Sequence, residues 1–482
     1  MQQSVQSERR VSFFSGIWLR VISVAGILLG TFLVFLPTLR YVLVYDDFEQ
    51  IVTNPRITSW SYFPGYFTTH LWAHSPLQQP NYYRPLFLIW LRLVDSVLGP
   101  PGSIWHLASV LAHLGTVVAV LLLIRRLTGD FRGAAVAGAL FAIYPIHTEA
   151  VAWVSSVEDP LLTIFAVLSV LFYVRRRGPI SVLSLLSALL AIFTKEAGIV
   201  VPALILAYEW TQSNFKNAFL GAAPYALPVL IYAALRMNAL GSLATGVPPN
   251  MTVSQMILTW PAVLAAYGRH LLWPVHLSVS YEVAMGHAIW PVALLGVVAA
   301  GMFWMLRHCS STVRFGAAWF AITFAPALAV RYLLIGDYVH DRYLYLPSVG
   351  LALIVAVGLS KIRFTPAWAI AAGGLAIACC FATRSDLAIW KDDISLFQRA
   401  VEAAPHNPYA KNNLADAYLK AHRENEAYPL LEQAIELDPG YRLGYYNMAR
   451  YYQQIGNSAE AERYFTISDE MYYQQPSGTT AR

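Results

Sequence analysis

Two adjacent carboxylates, Asp46 and Asp47, follow directly after the first long apolar block of the sequence. An unpaired carboxylate is costly at the edge of a bilayer, and adjacent carboxylates raise each other's proton affinity. Both effects move one of the pair toward the pKa of a useful general base. The same spacing also fits the acidic start of a solvated loop, and it does not indicate which aspartate would be the base.

Three cations next to apolar blocks could bind an anion. Arg84 lies between aromatic residues and a proline, Lys195 interrupts a long apolar run, and Arg342 precedes another apolar block. A guanidinium suits the geometry of a phosphate, and charges within membrane segments are functional by default. Each cation also has a structural interpretation. Arg84 and Arg342 could anchor the chain at the interface, and Lys195 could serve solely as the ion-pair partner of Glu196.

Further polar residues beside the apolar blocks form a predicted supporting site. They are His147, Glu149, Glu158, Asp159, Glu196, Tyr343 and Tyr345. With the two aspartates, His147 and Glu149 could complete a metal site or a proton relay, although no stretch has the ligand spacing of a recognised zinc motif. For Glu158 and Asp159 the alternative is a solvated turn before Pro160.

The elements that must position these residues are membrane helices. Of the 482 residues, 57% are hydrophobic and 13% charged, with a mean hydropathy of +0.48. A soluble domain carries about a quarter charged residues, and a disordered chain needs low hydrophobicity, so neither class fits. The net charge of +5 is modest, and its placement suits membrane orientation rather than nucleic-acid binding. The three cysteines form no disulfide framework and no zinc pattern.

The apolar blocks predict an all-α, polytopic transmembrane helix bundle. A spanning helix needs about 20 apolar residues, and about eleven blocks are interpreted as spans, the shorter ones being acceptable if they pack inside the bundle. The blocks are 15–39, 103–124, 133–153, 160–174, 179–194, 197–210, 217–236, 289–306, 313–331, 343–360 and 366–383. Block 255–273 is instead expected to lie on the outer interface, because counting it as a span would break the alternation of charged loops.

Arginine and lysine residues fall in alternate breaks between the blocks, which predicts a cytoplasmic N-terminus. The transmembrane domain would then cover 1–383, with a large outer loop at 40–102. The C-terminal domain, 384–482, would lie outside the cytosol. The expected location is a bacterial inner membrane, with this domain in the periplasm.

Segment 384–482 has an internal period of 34 residues. Small and aromatic residues recur in register, as in Ala415, Tyr418 and Ala427 against Ala449, Tyr452 and Ala461. This pattern predicts a tetratricopeptide superhelix, whose concave face is a binding surface. A plain helical bundle that caps the protein is the alternative.

Taken in order, the motifs resemble the TMTC family of transmembrane, tetratricopeptide-containing O-mannosyltransferases, within the C-type glycosyltransferase (GT-C) superfamily. They are Tyr45-Asp46-Asp47, Tyr83-Arg84-Pro85-Leu86, Pro145-Ile146-His147-Thr148-Glu149, Lys195-Glu196 and Arg342-Tyr343-Leu344-Tyr345, followed by the repeats. The resemblance covers nearly the whole chain. This sequence has far fewer repeats than the animal members, which suggests a prokaryotic homologue and leaves the acceptor open.

The resemblance implies a multi-spanning enzyme that uses a polyprenyl-phosphate sugar, often mannose, on the non-cytosolic side of the membrane. It implies that an acidic residue of the first outer loop is the base, which matches Asp46 or Asp47, and that Arg342 and Arg84 contact the phosphate. The acceptor would be a protein hydroxyl held by the repeats, or alternatively a lipid or an envelope glycan. Some members of the superfamily bind a divalent metal near this acid and others do not.

The residues agree with such a reaction. Transfer from a phosphate ester needs a base on one face of the sugar and positive charge at the departing phosphate. Asp46 or Asp47 could supply the base, and Arg342, Arg84 or Lys195 the charge; a direct displacement predicts inversion. A transporter or flippase would place charges near the midplane on broken helices, whereas here they crowd one surface. The remaining alternative is a non-catalytic scaffold in which the membrane part only anchors the repeats.

Overall fold

The computed structural model describes residues 2–75, 82–99, 102–176, 178, 180–243, 249–283, 289–333, 337–363 and 365–474. Within these ranges the chain is helical and contains no β-strand. The first fifteen α-helices are α1 (Gln2–Phe35), α2 (Pro85–Leu98), α3 (Gly102–Thr128), α4 (Phe131–Ala142), α5 (Thr148–Ala152), α6 (Glu158–Arg175), α7 (Val182–Thr194), α8 (Val201–Gln212), α9 (Phe215–Ala222), α10 (Ala226–Leu240), α11 (Val253–Leu272), α12 (Ile289–His308), α13 (Ser311–Phe324), α14 (Tyr345–Ser360) and α15 (Pro366–Leu387). The C-terminal helices are α16 (Asp393–Ala403), α17 (Pro408–Lys420), α18 (Glu424–Leu437), α19 (Arg442–Gln454) and α20 (Ser458–Gln474).

Seven helical segments among the described residues are long and apolar enough to cross a membrane. They are Ile17–Arg40, Gly102–Thr128, Val154–Arg175, Phe215–Leu240, Ser311–Tyr332, Asp341–Ser360 and Pro366–Lys391. A bent pair, Phe131–Ala142 and Pro145–Ala152, passes the same test together with a bend of 54°. The chain is therefore a multi-pass, all-α membrane protein, as the sequence predicts.

Two predicted blocks are shorter in the structure than a full span, and a third has the length of one. Blocks 179–194 and 197–210 become α7 and α8, which have 13 and 12 residues and are shorter than a full span. Block 289–306 becomes α12, whose 20 residues correspond to about 30 Å of helix, enough to cross the hydrocarbon core.

The break between α7 and α8 is a tight turn that depends on a glycine. Lys195 ends α7 with an extended backbone, and a short 3-10 turn, Glu196–Val200, follows it. A Cβ atom on Gly198 would lie 2.5 Å from the carbonyl carbon of Ala191. Only glycine therefore lets the chain pass this close to the preceding helix and bring Lys195 to the end of the bundle.

The spans differ in how much of their surface the protein covers. In an 18-residue apolar stretch of each span, buried residues make up 67% in Gly102–Thr128 but only 17% in Ile17–Arg40 and 6% in Pro366–Lys391. An apolar helix that the protein leaves uncovered has its surface free for lipid. The central helices therefore surround the buried polar groups described below, and the peripheral ones face outward.

Helix α11, which covers block 255–273, is not among the helices that meet the criteria for a span. Its buried residues, Thr259, Val263, Tyr267 and His270, lie at helical spacing on one face. That face packs against the segment around Asp341, since His270 Nδ1 is 2.8 Å from a carboxylate oxygen of Asp341. The location of α11 at the membrane interface stays a prediction.

Helices α16–α20 follow the last span, and each packs against the next. Helices α17 and α19 begin 34 residues apart, as do α18 and α20. Ala415, Ala427, Ala434 and Ala449 are fully buried between them, because small residues let helices approach closely. The helix pairs agree with the 34-residue period, and their assignment as tetratricopeptide repeats stays a prediction.

Candidate active site

A charged pocket with a cavity volume of about 90 Å³ lies at one end of the helix bundle. Its lining comprises Asp46, Gln50, Leu71, Trp72, Tyr82, Arg84, Trp153, Ser155, Glu158, Lys195, Arg342 and Tyr343. Six of these, Asp46, Arg84, Glu158, Lys195, Arg342 and Tyr343, are among the residues that the sequence predicted.

The pocket forms because its charged residues stand at the ends of apolar helices. Asp46 follows the first span, which ends at Arg40, and Lys195 immediately follows α7. Glu158 begins α6, and Arg342 lies at the start of the span Asp341–Ser360. The apolar lengths of these helices place their ends at a common level, and the charges meet there.

Asp47 is fully buried and fixed behind the pocket. Its carboxylate accepts hydrogen bonds from Ser155 N at 2.7 Å, Ser155 Oγ at 2.5 Å and Val44 N at 3.2 Å. Burial raises the pKa of Asp47 to about 7, against the lowering effect of these bonds. Asp47 therefore ties the first outer loop to the start of the span that contains Ser155.

Asp46 differs from its neighbour, because it lines the pocket and its carboxylate accepts no hydrogen bond from any described residue. Burial raises the pKa of Asp46 to about 7, with further raising effects of Asp47 and Glu49 and an opposing effect of Arg342. A carboxyl group with this pKa that lacks a protein partner can accept a proton from a ligand near neutral pH.

All three guanidinium nitrogens of Arg84 contact carboxylate oxygens. Its Nε and Nη2 lie 2.9 and 2.8 Å from Glu196 Oε2, and its Nη1 lies 2.6 Å from Glu158 Oε2. Tyr83 N also donates to Glu196 at 3.2 Å, and the guanidinium carbon of Arg84 stands 4.1 Å from the centre of the Tyr82 ring. Arg84 is therefore held as an organising cation.

Lys195 is held in the same way. Its Nζ donates to both carboxylate oxygens of Asp159 at 2.8 Å and lies 3.0 Å from Glu158 Oε1. Glu158 thus bridges the two cations. We call this network of Arg84, Glu158, Asp159, Lys195 and Glu196 the paired wall.

Arg342 keeps donors available. Its Nη1 donates to Glu149, and its backbone N–H donates to the same carboxylate at 2.9 Å. No described residue accepts from its Nε or Nη2. Its guanidinium carbon lies 5.2 Å from the Trp153 ring centre and 5.0 Å from the Tyr343 ring centre. The geometry leaves part of this cation for an anionic ligand.

Five of the predicted supporting residues do not line the pocket. Glu149, Asp159 and Glu196 contact cations that line it, whereas His147 and Tyr345 lie apart from them. Both are fully buried. His147 Nε2 lies 3.0 Å from Ser348 Oγ, and Tyr345 Oη lies 2.5 Å from His113 Nδ1. The structure therefore places them in a separate polar cluster inside the bundle and does not join His147 to the aspartates.

Gln50 and Trp153 also line the pocket but were not predicted as site residues from the sequence. Gln50 is 6% exposed, and its Oε1 has no hydrogen-bond partner among the described residues; the same is true of Trp153 Nε1. Gln50 N donates to the Asp46 carbonyl at 2.9 Å, so the two residues are one helical turn apart. This spacing was a signal that could have identified Gln50. We call Asp46, Gln50, Trp153 and Arg342 the open wall.

Within the described residues, no group of three or more His, Cys, Asp or Glu side chains converges as a metal ligand set. The carboxylates of Glu158, which lines the pocket, and of Asp159 and Glu196 behind it already bind cations of the protein. The residues thus offer no preformed metal site, and the metal dependence that the resemblance leaves open stays a prediction.

The fold and the pocket define a multi-pass membrane protein with a charged cavity at one end of its helix bundle. The chain is 26% identical to protein O-mannosyl-transferase F38B6.6 of Caenorhabditis elegans, over 83% of its own length and 60% of the relative's. It is 25% identical to TMTC1 of Homo sapiens (82% of this chain, 53% of the relative) and 24% identical to TMTC3 of Mus musculus (89% and 52%). The resemblance to the TMTC O-mannosyl-transferases is thus confirmed, and the chain spans about half to three-fifths of these relatives. No protein-family model matches the chain.

Among solved structures, the crystal structure of ArnT from Cupriavidus metallidurans bound to undecaprenyl phosphate covers 93% of this chain and 77% of its own. The sequence identity is 15% and the TM-score is 0.42. A score this low carries no conclusion about fold or ligand.

Proposed function

We propose that this protein is an integral-membrane glycosyltransferase. It transfers a sugar, mannose, from a polyprenyl-phosphate donor to a serine or threonine hydroxyl of a protein, on the non-cytosolic side of the membrane. Two findings support the proposal: the similarity to curated O-mannosyl-transferases over most of the chain, and a charged pocket at the ends of apolar spans.

One observation carries the chemical part of the proposal. The pocket contains a carboxyl group, Asp46, that has no partner among the described residues, and a guanidinium, Arg342, with available donors. Transfer from a phosphate ester needs these two groups, a base for the acceptor hydroxyl and a positive charge for the departing phosphate. The other predicted cations, Arg84 and Lys195, are already bound to carboxylates.

The reaction is a direct displacement at the anomeric carbon. The acceptor oxygen forms a bond to this carbon while its proton passes to Asp46, and the bond between the carbon and the phosphate oxygen breaks. Arg342 stabilises the negative charge that develops on the leaving polyprenyl phosphate. Attack opposite to the leaving group inverts the configuration of the sugar. A positioned base contributes about 10²- to 10⁴-fold to such a step.

The pocket's position suits a lipid-linked donor. The polar headgroup can enter the pocket at the helix ends while the isoprenoid chain stays in the hydrocarbon region. The aromatic side chains Trp72, Tyr82 and Tyr343 line the same cavity and offer apolar surface next to the charges. In this proposal, segment 384–482 holds the polypeptide acceptor.

Reconstituted protein in lipid vesicles tests the proposal. It is incubated with radiolabelled polyprenyl-phosphate sugars and three classes of acceptor: serine- and threonine-containing peptides, a lipid, and an envelope glycan. We expect label to pass from the mannosyl donor to the peptide, and an Asp46→Asn variant provides the matched inactive control. Label found only on the lipid or the glycan would refute protein O-mannosylation, and no transfer from any donor would refute the glycosyltransferase.

A further inference from the structure

The C-terminal helices contact the loop that carries Asp46. Asp393, the first residue of α16, accepts a hydrogen bond from Tyr45 N through Oδ1 at 2.8 Å. Three residues earlier in the loop, Val42 N donates to the Lys391 carbonyl at 3.3 Å. Segment 384–482 therefore reaches the residue that immediately precedes the proposed base.

Tyr45 has an unusual backbone at this contact. Its φ of 55° lies in the left-handed region, which non-glycine residues rarely adopt. Such a conformation persists only where the surroundings hold it, and it concentrates at functional sites. Here it sets the direction in which the chain enters Asp46.

The Tyr45 ring is held between the two parts of the protein. It stacks on Trp153 of the open wall, with ring centres 5.3 Å apart and an interplanar angle of 29°. Phe397, one turn after Asp393 on α16, contacts the Tyr45 ring edge to face at 5.4 Å. The backbone bond and the ring contact thus come from the same face of α16.

A second helix supports this arrangement. Lys420, at the end of α17, places Nζ 3.7 Å from Asp393 Oδ2 and 2.9 Å from Asp416. The same Nζ lies 5.8 Å from the centre of the Phe48 ring, on the far side of the aspartate pair. Helices α16 and α17 therefore contact the loop on both sides of Asp46 and Asp47.

We propose that Asp393 and Phe397 are positioning residues for the active site, so that the C-terminal helical domain holds Asp46 in its reactive orientation. The inference rests on the proposed function. Asp47 fixes the loop to the membrane bundle through Ser155, and Asp393 fixes it to the C-terminal domain through Tyr45. Asp46 lies between these two contacts, and its own carboxylate accepts no hydrogen bond from the described residues.

The test compares Asp393→Ala with Asp393→Asn, because the asparagine oxygen can still accept from Tyr45 N. Loss of a hydrogen bond to a charged acceptor predicts a fall in kcat of about 10- to 100-fold for Asp393→Ala. The KM for a short acceptor peptide is expected to stay unchanged, and Asp393→Asn is expected to retain most of the rate. Glu402→Ala, on the exposed end of α16, is the matched control and should behave as the parental protein.

Amide hydrogen exchange of residues 41–50, measured without substrate, is the second measurement. We expect faster exchange in Asp393→Ala than in Asp393→Asn or Glu402→Ala. Parental exchange and parental kcat in Asp393→Ala would overturn the inference, and so would a change in KM alone, which would mean that the domain only binds the acceptor. Absence of transfer by the parental protein would refute the proposed function instead, while the exchange data would still show whether Asp393 fixes the loop.

Discussion

The two walls of the pocket carry the same kinds of charge but use them differently. In the paired wall, Arg84 and Lys195 direct their nitrogens at Glu158, Asp159 and Glu196. In the open wall, the Asp46 carboxylate has no hydrogen bond from the described residues, and the Arg342 guanidinium contacts a carboxylate through Nη1 alone. A charged group that is fully paired within the protein has a structural role, whereas a group with a free hydrogen-bonding position can bind a ligand.

This difference predicts which property each substitution changes. Removing one partner of a buried ion pair leaves an uncompensated charge, which destabilises the fold. Removing an unpartnered group leaves nothing unsatisfied, so the effect falls on the reaction. Substitutions in the paired wall should therefore lower stability first, and those of the unpaired groups in the open wall should lower activity first. Substitution of Arg342, which pairs with buried Glu149, should affect both.

The largest effect is expected at the base. Asp46→Asn should lower the transfer rate by about 10²- to 10⁴-fold and leave thermal unfolding unchanged, because the carboxylate has no protein partner. Asp47→Asn is the matched comparison, and it should lower the unfolding temperature, since the Asp47 carboxylate accepts from Ser155 and Val44. Labelled-sugar transfer and thermal unfolding of both variants measure this. Parental transfer by Asp46→Asn would remove Asp46 from the mechanism.

The second largest effect is expected from removing a cation of the paired wall. Lys195→Met leaves Asp159 without its bidentate partner, and it should destabilise the protein by about 3–5 kcal/mol, as for other broken buried pairs. Denaturant unfolding in detergent measures the change, with Lys195→Arg as the control that keeps the charge. Unchanged stability together with lost transfer would show that Lys195 contacts the phosphate, as the sequence predicted, and would remove it from the paired wall.

The apolar spans could be predicted from the sequence, because length and hydropathy alone decide whether a helix can cross a bilayer. The roles of Asp46 and Asp47 could not, since the difference depends on Ser155, 108 residues away in the chain. The pairing of Arg84 depends likewise on Glu196, 112 residues away. The sequence suggests that His147 belongs to the site because it lies two residues before Glu149, but its ring packs inside the bundle.

The contact between Tyr45 and Asp393 was equally inaccessible, because 348 residues separate the two partners. Gln50 could have been predicted from its helical spacing to Asp46. The hydropathy of the sequence indicates how deep in the membrane each charge lies. It does not give the pairing between helices, which decides whether a charge is structural or free to react.

The third effect concerns the phosphate. Arg342→Gln should weaken binding of a polyprenyl phosphate by about 10- to 100-fold, the usual range for a charge-assisted hydrogen bond. Because Glu149 is 2% exposed and would lose its partner, the double variant Arg342→Gln with Glu149→Gln separates lost affinity from lost stability. Equilibrium binding of the polyprenyl phosphate in detergent measures both. Parental affinity in the double variant would exclude Arg342 as the phosphate contact.

The fourth effect is a pH dependence. Burial raises the pKa of Asp46 to about 7, and a base must be ionised to accept a proton. The value of kcat/KM should therefore rise with pH and level off above about 7, with a loss of about tenfold per pH unit below it. An Asp47→Asn variant should keep a rising limb but shift it to lower pH, because the Asp47 charge contributes to the raised pKa of Asp46. A limb at the ordinary carboxyl pKa of about 4 would show that Asp46 is not buried in the working enzyme.

The smallest effect should sharpen the comparison within the open wall itself. Gln50 is buried beside Asp46 with an unpartnered amide oxygen, so we expect it to accept a hydrogen bond from a sugar hydroxyl. Gln50→Met keeps the length and removes the amide, and it should change the kcat/KM ratio between two donors that differ in one hydroxyl by roughly tenfold, the effect of one hydrogen bond. Stability should not fall, because the substitution removes an unsatisfied buried group. An unchanged ratio would make Gln50 a packing residue and restrict the open wall to Asp46, Trp153 and Arg342.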